Sequence, residues 1–500
     1  MNYQITRHIF FLLLTSYLTL YQGSASASAL NWMIQPRLDI REIYSDNITL
    51  SDSETKSAFV TEFTPGVSLN GTSGRGNVDL NYNLQGLYNA QGRAEVDLYN
   101  QLQMNADYEF VDNRFFADSS ASVSQQNISN RRIENDNISG TADNSTISTF
   151  SISPYWTPHF EGIADGEIRL TYDTVSSSGG NNALSDTNSF SQSVFLQSGH
   201  NLSLLSWSLS FNNSKRFNSQ SEDISFQDSL AEIRYALGRE YSIFARGGHS
   251  NNSFASNSNS NNNGFFYTFG GQWEPSNRFR IEAGYGNNKF VTIEISPFNR
   301  LHWISTYSLN DVGLNTGSTW SSQLDYTTRR SSWSLGYSET TTTTQQLLLD
   351  QQVSNTSNTG FTGNNTTLPT LTDEVFTTQN ADISFSFRTG KSNINSRFFK
   401  IYRTFELSGN DEEVTGASGS WDWEFTRRTS SNLRLGWQKT ESAGLNSFTD
   451  NRFDASIFIT RRILKRLDGS LGYSYINQDS TSNFNSYTEN RITANLSLQF

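Results

Sequence analysis

Apolar and polar side chains alternate with a period of two along most of this chain. Val78, Leu80, Tyr82 and Leu84 are interleaved with Asn77, Asp79, Asn81, Asn83 and Gln85. Val96, Leu98, Leu102, Met104, Ala106, Tyr108 and Phe110 are interleaved with Asp97, Gln101, Gln103, Asn105, Asp107 and Glu109. The rhythm returns at 168–172, 205–211, 279–285, 421–425, 433–437, 453–459 and 471–475, and closes the chain at Ile492, Ala494, Leu496, Leu498 and Phe500. Successive side chains of a strand point to opposite faces, so each segment reads as a β-strand with one apolar face.

A sandwich would alternate too, but its strands are usually nearer five or six residues. Here the runs are commonly about ten, the length that crosses a bilayer at a tilt. The connectors also alternate in length. Short ones include 111–114, 157–162, 237–240, 274–278 and the Arg-Arg pairs Arg329-Arg330, Arg427-Arg428 and Arg461-Arg462. Long ones, at 125–145, 174–189, 212–225, 248–263 and 340–376, are rich in Asn, Ser and Thr, as in Asn257-Ser-Asn-Ser-Asn-Asn-Asn-Gly264. The pattern predicts an all-β, transmembrane, antiparallel up-and-down barrel with long extracellular loops and short periplasmic turns. The turns give roughly 22 to 24 strands. The uncertain stretch is 290–309, which forms either one more hairpin around Ser296-Pro-Phe-Asn-Arg300 or part of a long loop. Closure would pair the last strand with the first, at 32–44, so that no edge is left open and the final apolar row meets lipid.

Composition sharpens this reading. Aromatic residues make up 13% of the chain and charged residues only 17%, against roughly 25% in ordinary soluble domains. Mean hydropathy is −0.55 and no long apolar helix is visible. Apolar side chains are therefore distributed along strands rather than concentrated in spanning helices. Cysteine is absent, which excludes disulfides and thiolate metal sites. At the N-terminus, Arg7 and His8 precede an apolar run from Ile9 to Leu14, and Ala27-Ser28-Ala29 follows. This is the order of a secretory signal peptide, predicted over 1–29, with the barrel over 30–500. Residues 1–250 carry 15 Lys+Arg against 26 Asp+Glu, and residues 251–500 carry 21 against 22. So acidic a first half argues against a nucleic-acid partner.

Three stretches together resemble the PEP-CTERM system-associated outer membrane protein family. They are 32–47, which ends in Tyr44-Ser-Asp-Asn47; Thr64-Pro-Gly-Val-Ser-Leu69 with the strand 78–88; and 324–339, around Tyr326-Thr-Thr-Arg-Arg-Ser-Ser-Trp333. The resemblance spans essentially the whole mature chain. It implies a barrel associated with exopolysaccharide production in bacteria that carry an exosortase sorting system. Phe500 likewise resembles the C-terminal assembly signal of bacterial outer-membrane proteins. That likeness implies the barrel assembly machinery as a partner, alongside outer-membrane lipid and lipopolysaccharide. The expected role is a conduit or scaffold for surface polysaccharide. The alternatives are a diffusion porin and a non-conducting structural or adhesive barrel.

Candidate chemistry is sparse. The mature chain has His159, His200, His249 and His302, none beside a recognisable nucleophile, so no enzyme and no cofactor are expected. The acidic clusters Asp411-Glu-Glu413 and Asp373-Glu374 read as solvated loop residues. The polar rows are more informative, because a wet lumen tolerates charge where lipid does not. Asp97, Asp107 and Glu109 share one predicted inward row, and Glu167 and Arg169 another. Arg278, Arg280, Arg397 and Arg434 are the later lumen-lining candidates. Acidic residues on one wall and basic ones on the other would set a field across a pore. A cylinder this wide needs infolded segments if it is not to be an open hole, and 340–376, with Leu347-Leu-Leu349, is the best candidate.

Overall fold

The computed structural model describes residues 31–90, 96–127, 137–138, 144–179, 184–202, 204–256, 263–354, 369, 371–444, 447–482 and 485–500. The predicted signal peptide lies outside them. Every neighbouring pair of wall strands is antiparallel, and each strand pairs with its sequence neighbours. Among the described residues twenty-five segments are hydrogen-bonded; His159–Phe160 is a two-residue piece of a turn, and the other 24 form the wall. Asn31–Ser45 pairs with Tyr487–Gln499, with Leu38 opposite Leu498 and Ile40 opposite Leu496, so the sheet closes. The Phe500 amide donates to the Pro36 carbonyl at 3.0 Å and completes the seam. The uncertain stretch is a hairpin: Asn288–Phe298 pairs with Leu301–Asn310.

The outward rows are the apolar ones. Ile40, Leu209, Ile233, Leu435, Ile457 and Leu496 are each more than 40% exposed although they lie within strands and away from their ends. Rings gather near the strand ends, with Trp156 stacked on Phe115 and Trp421 on Trp423 near the short turns. Tyr88, Tyr267, Tyr307 and Trp437 stand exposed nearer the long loops. An apolar band between two aromatic girdles on a closed, edgeless cylinder is the form that crosses an outer membrane. The protein is an outer-membrane β-barrel. Leu435→Arg is expected to cost about 2–4 kcal/mol if its side chain sits near the bilayer midplane. Urea unfolding of the barrel in lipid vesicles measures that loss.

Most strands are longer than the sequence pattern indicates. Asp411–Thr426 has 16 residues and Phe448–Leu464 has 17. At about 3.3 Å per residue and a 35–45° tilt, roughly ten residues cross the apolar band. The remainder stands above it on the long-loop side. Several stretches read as loop are therefore strand: 212–218 of Leu205–Asn218, 248–253 of Tyr241–Ser253, which holds His249, and the acidic cluster 411–413 that begins Asp411–Thr426. Arg461 and Arg462 also lie within a strand; the turn there is 465–466, and a bulge after Arg462 lets the ladder run on.

Candidate functional site

The polar rows enclose the lumen, whose two halves differ. Around the extracellular half, inward side chains are buried on nearly every part of the ring. Ser45, Glu62, Ile147, Arg216, Thr343, Phe376, Arg403, Thr440 and Glu489 are all below 7% exposed. Inward side chains of the periplasmic half, such as Asp107, Asp118, Arg280 and Asp422, remain half-buried or exposed. The barrel is thus packed towards the outside and forms a vestibule towards the periplasm.

Two infolded segments do much of the packing. The first follows strand Ser331–Thr343 without a break, as helix Thr344–Ser354. Its Leu348 and Leu349 are 4% and 8% exposed and join Ile147, Val175, Leu184 and Leu371 in one apolar cluster. Ile147 and Val175 belong to the sixth and seventh wall strands and the helix leaves the seventeenth, so it reaches the far side of a ring of 24. Polar contacts brace it. Arg216 hydrogen-bonds Thr343 Oγ1 and donates to Gln346 Oε1 at 3.2 Å. Gln345 Nε2 and the Ser185 amide both donate to Asp373 Oδ1, at 2.8 and 2.9 Å. Asp373, read as a solvated loop acid, is thus a tether. The second piece is the first extracellular loop, whose Ile48 packs with Ile43, Val60, Leu87 and Ile138. Leu50 of the same loop is set against Ile476 and Tyr487. Residues 355–368 and 370 of the predicted infolded segment lie outside the described residues.

The predicted lumen residues fall as follows. Asp97 and Asp107 are exposed on the inward row of Val96–Val111, and Glu109 accepts the Asn113 amide at the periplasmic turn. Arg169 bridges Asp118 at 2.7 Å and Glu167 at 2.8 Å, and its guanidinium lies 3.9 Å from the Tyr155 ring centre. Arg280 pairs with Glu294. Arg278 sits in the turn between Gly264–Ser276 and Phe279–Gly286 and donates to the Pro297 carbonyl at 3.3 Å, so it lies at the rim, outside the strand rows. Arg397 lies 5.2 Å from the Phe399 ring centre, and Arg434 stands opposite Ser420 and Ser456. Phe500 faces lipid at the end of the closing seam.

The expected field between an acidic and a basic wall is not what the charges form. Carboxylates and guanidinia are paired along the same wall. The largest group joins Glu232, Arg234, Arg246 and Glu282 through bonds of 2.5–2.9 Å, with Arg234 also donating to Gln272 at 2.6 Å. Glu232 and Arg234 alternate along one strand, and Arg246 and Glu282 reach them from two others. The alternation along single strands does not foretell this group, because pairing across strands depends on register.

No family model and no curated protein matches this sequence. Among solved structures, the chain is similar to the FrpB iron transporter from Neisseria meningitidis, at 9% identity and a TM-score of 0.47, over 94% of this chain and 81% of that one. It is also similar to the siderophore receptor PirA from Acinetobacter baumannii, at 10% identity and 0.47, over 93% and 80%. An outer membrane protein of Vibrio cholerae, OmpT with loop L8 deleted, aligns at 8% identity and 0.30, over 94% and 100%. Likeness at this level adds nothing to what the closed, lipid-faced cylinder already shows.

Proposed function

We propose that this protein is a gated outer-membrane transport barrel serving exopolysaccharide export or retention, with no catalytic role. One observation carries the reading: a helix anchored across the lumen by Leu348 and Leu349 lies above a polar vestibule open to the periplasm. A wide wet interior suits a hydrated polymer, and a packed exit keeps the envelope sealed when no polymer is passing. The three family-like stretches support the polysaccharide context. Lipopolysaccharide surrounds the outward rows, and the barrel assembly machinery receives the seam strand that ends in Phe500.

The packed extracellular half counts against a permanently open diffusion porin. It leaves a non-conducting scaffold as the second reading. Deletion of the gene is expected to reduce exported or surface-attached polysaccharide severalfold; unchanged amounts in both fractions would refute the export role. The unmodified barrel is expected to be silent in planar bilayers, and conductance after release of the helix separates the gate from the scaffold.

A further inference from the structure

A cavity of about 430 Å³ opens at the periplasmic mouth of the lumen. Its volume lies within the ~300–1,000 Å³ typical of small-molecule sites. Phe195 lines it. Register fixes this ring inward, opposite Ser210 and Glu167, while its neighbours Val194 and Leu196 face outward. Yet it is 42% exposed. Among the described wall strands, the other large hydrophobics more than a third exposed face lipid or lie at strand ends, as Met33 does at the free end of the first strand. Inward apolar side chains elsewhere, such as Ile43, Val60 and Val175, are covered by the infolded pieces. Phe195 is thus an apolar surface presented to a wet vestibule, at a cost in free energy that a ligand would remove.

The surroundings define that ligand. Phe116 is stacked on Tyr155, with ring centres 5.0 Å apart and planes inclined by 13°. Beside Phe195 stand Glu167, Asp165 and Gln197. Both carboxylates already have partners: Glu167 has Arg169 at 2.8 Å, and Asp165 has His159 at 3.0 Å. Carboxylate oxygens have lone pairs for more than one donor, so capacity to accept hydrogen bonds remains. An aromatic surface bordered by acceptors and amides matches a molecule with an apolar C–H face and a rim of hydroxyl donors. A polyanion would meet the acidic side of the cluster. We infer that this cavity is a periplasmic-mouth subsite for a neutral hexose oligosaccharide, with Phe195 as the platform under the sugar ring. The inference rests on the export reading and narrows it, since it places substrate capture at the entrance below the gate.

The test uses the full mature barrel in a detergent without a sugar headgroup. Maltohexaose and cellohexaose are the neutral probes and a hyaluronan hexasaccharide the anionic one. Saturation-transfer NMR and calorimetry report binding, and heat-modifiable gel mobility reports folding. At least one neutral probe is expected to bind and to receive saturation at its ring C–H protons. Phe195→Ala is expected to weaken that binding about tenfold or more. Phe195→Trp should preserve it, and Leu196→Ala, on the lipid side, should leave it unchanged. A folded wild-type barrel that binds neither neutral probe overturns the subsite, as does a preference for the anionic probe or full affinity in a folded Phe195→Ala barrel. These outcomes are independent of the gene deletion. A neutral sugar could bind in a strain whose polysaccharide export is unaffected, which would sink the export role and leave the subsite standing.

Discussion

Replacing Leu348 and Leu349 together by aspartate is expected to turn a silent barrel into a conducting one. Each leucine side chain contributes about 1.5–3 kcal/mol when withdrawn from water, so the pair holds the helix by roughly 3–6 kcal/mol. At 1.4 kcal/mol per tenfold, losing that anchor shifts the balance between seated and released helix by about two to four powers of ten. Two carboxylates cannot occupy the apolar site formed by Ile147, Val175, Leu184 and Leu371 without a large desolvation penalty. The wall strands keep their own ladder, so the barrel should still fold and retain its heat-modifiable mobility. Single-channel recording in a planar bilayer reads the outcome. Silent traces from a folded double variant would mean that the helix does not close the lumen, and the scaffold reading would replace the gate. Arg216→Ala is a second probe, because it removes the bonds to Thr343 and Gln346 and leaves Leu348 and Leu349 in place.

The second large effect concerns stability. Arg403 and Glu412 form an ion pair whose side chains are 2% and 4% exposed, on adjacent strands above the membrane band. Glu412→Leu alone removes the carboxylate from a guanidinium held in a packed interior and should cost about 3–5 kcal/mol. Arg403→Met combined with Glu412→Leu should recover most of that loss, since two apolar residues of similar size need no compensating charge. Urea unfolding of the wild type, both single variants and the double variant in vesicles gives the coupling between the two sites. An additive result would show that the pair is solvated and that the upper lumen is less tightly packed than its burial implies.

The wall was legible because membrane and water impose opposite demands on alternate residues. The seam strand shows this most simply: Ile492, Leu496 and Phe500 are exposed to lipid while Glu489 and Arg491 are buried inside. Legibility ended where lipid ended. Above the apolar band both faces of a strand meet polar surroundings, so Lys215, Phe217 and the Asn-rich 250–253 give no clean alternation although ladder bonds continue through them. The hairpin at 288–310 was ambiguous for a related reason: its outer connection to the preceding strand is the single residue Asn287 rather than a long polar loop. Helix Thr344–Ser354 follows a run of threonines, and only its Leu347-Leu-Leu349 hinted at an inward destination.

The sequence by itself determined a membrane cylinder of many strands, its orientation and which rows face lipid. These follow from local periodicity and connector length, which a chain carries without knowledge of its distant parts. Only the tertiary structure decided that charges pair within one wall, that the extracellular half of the lumen is packed by a helix reaching the opposite side, and that Phe195 is left bare at the periplasmic mouth. Those features depend on register and on contacts between residues far apart in the chain, and the alternation of side chains along a single strand holds no information about either.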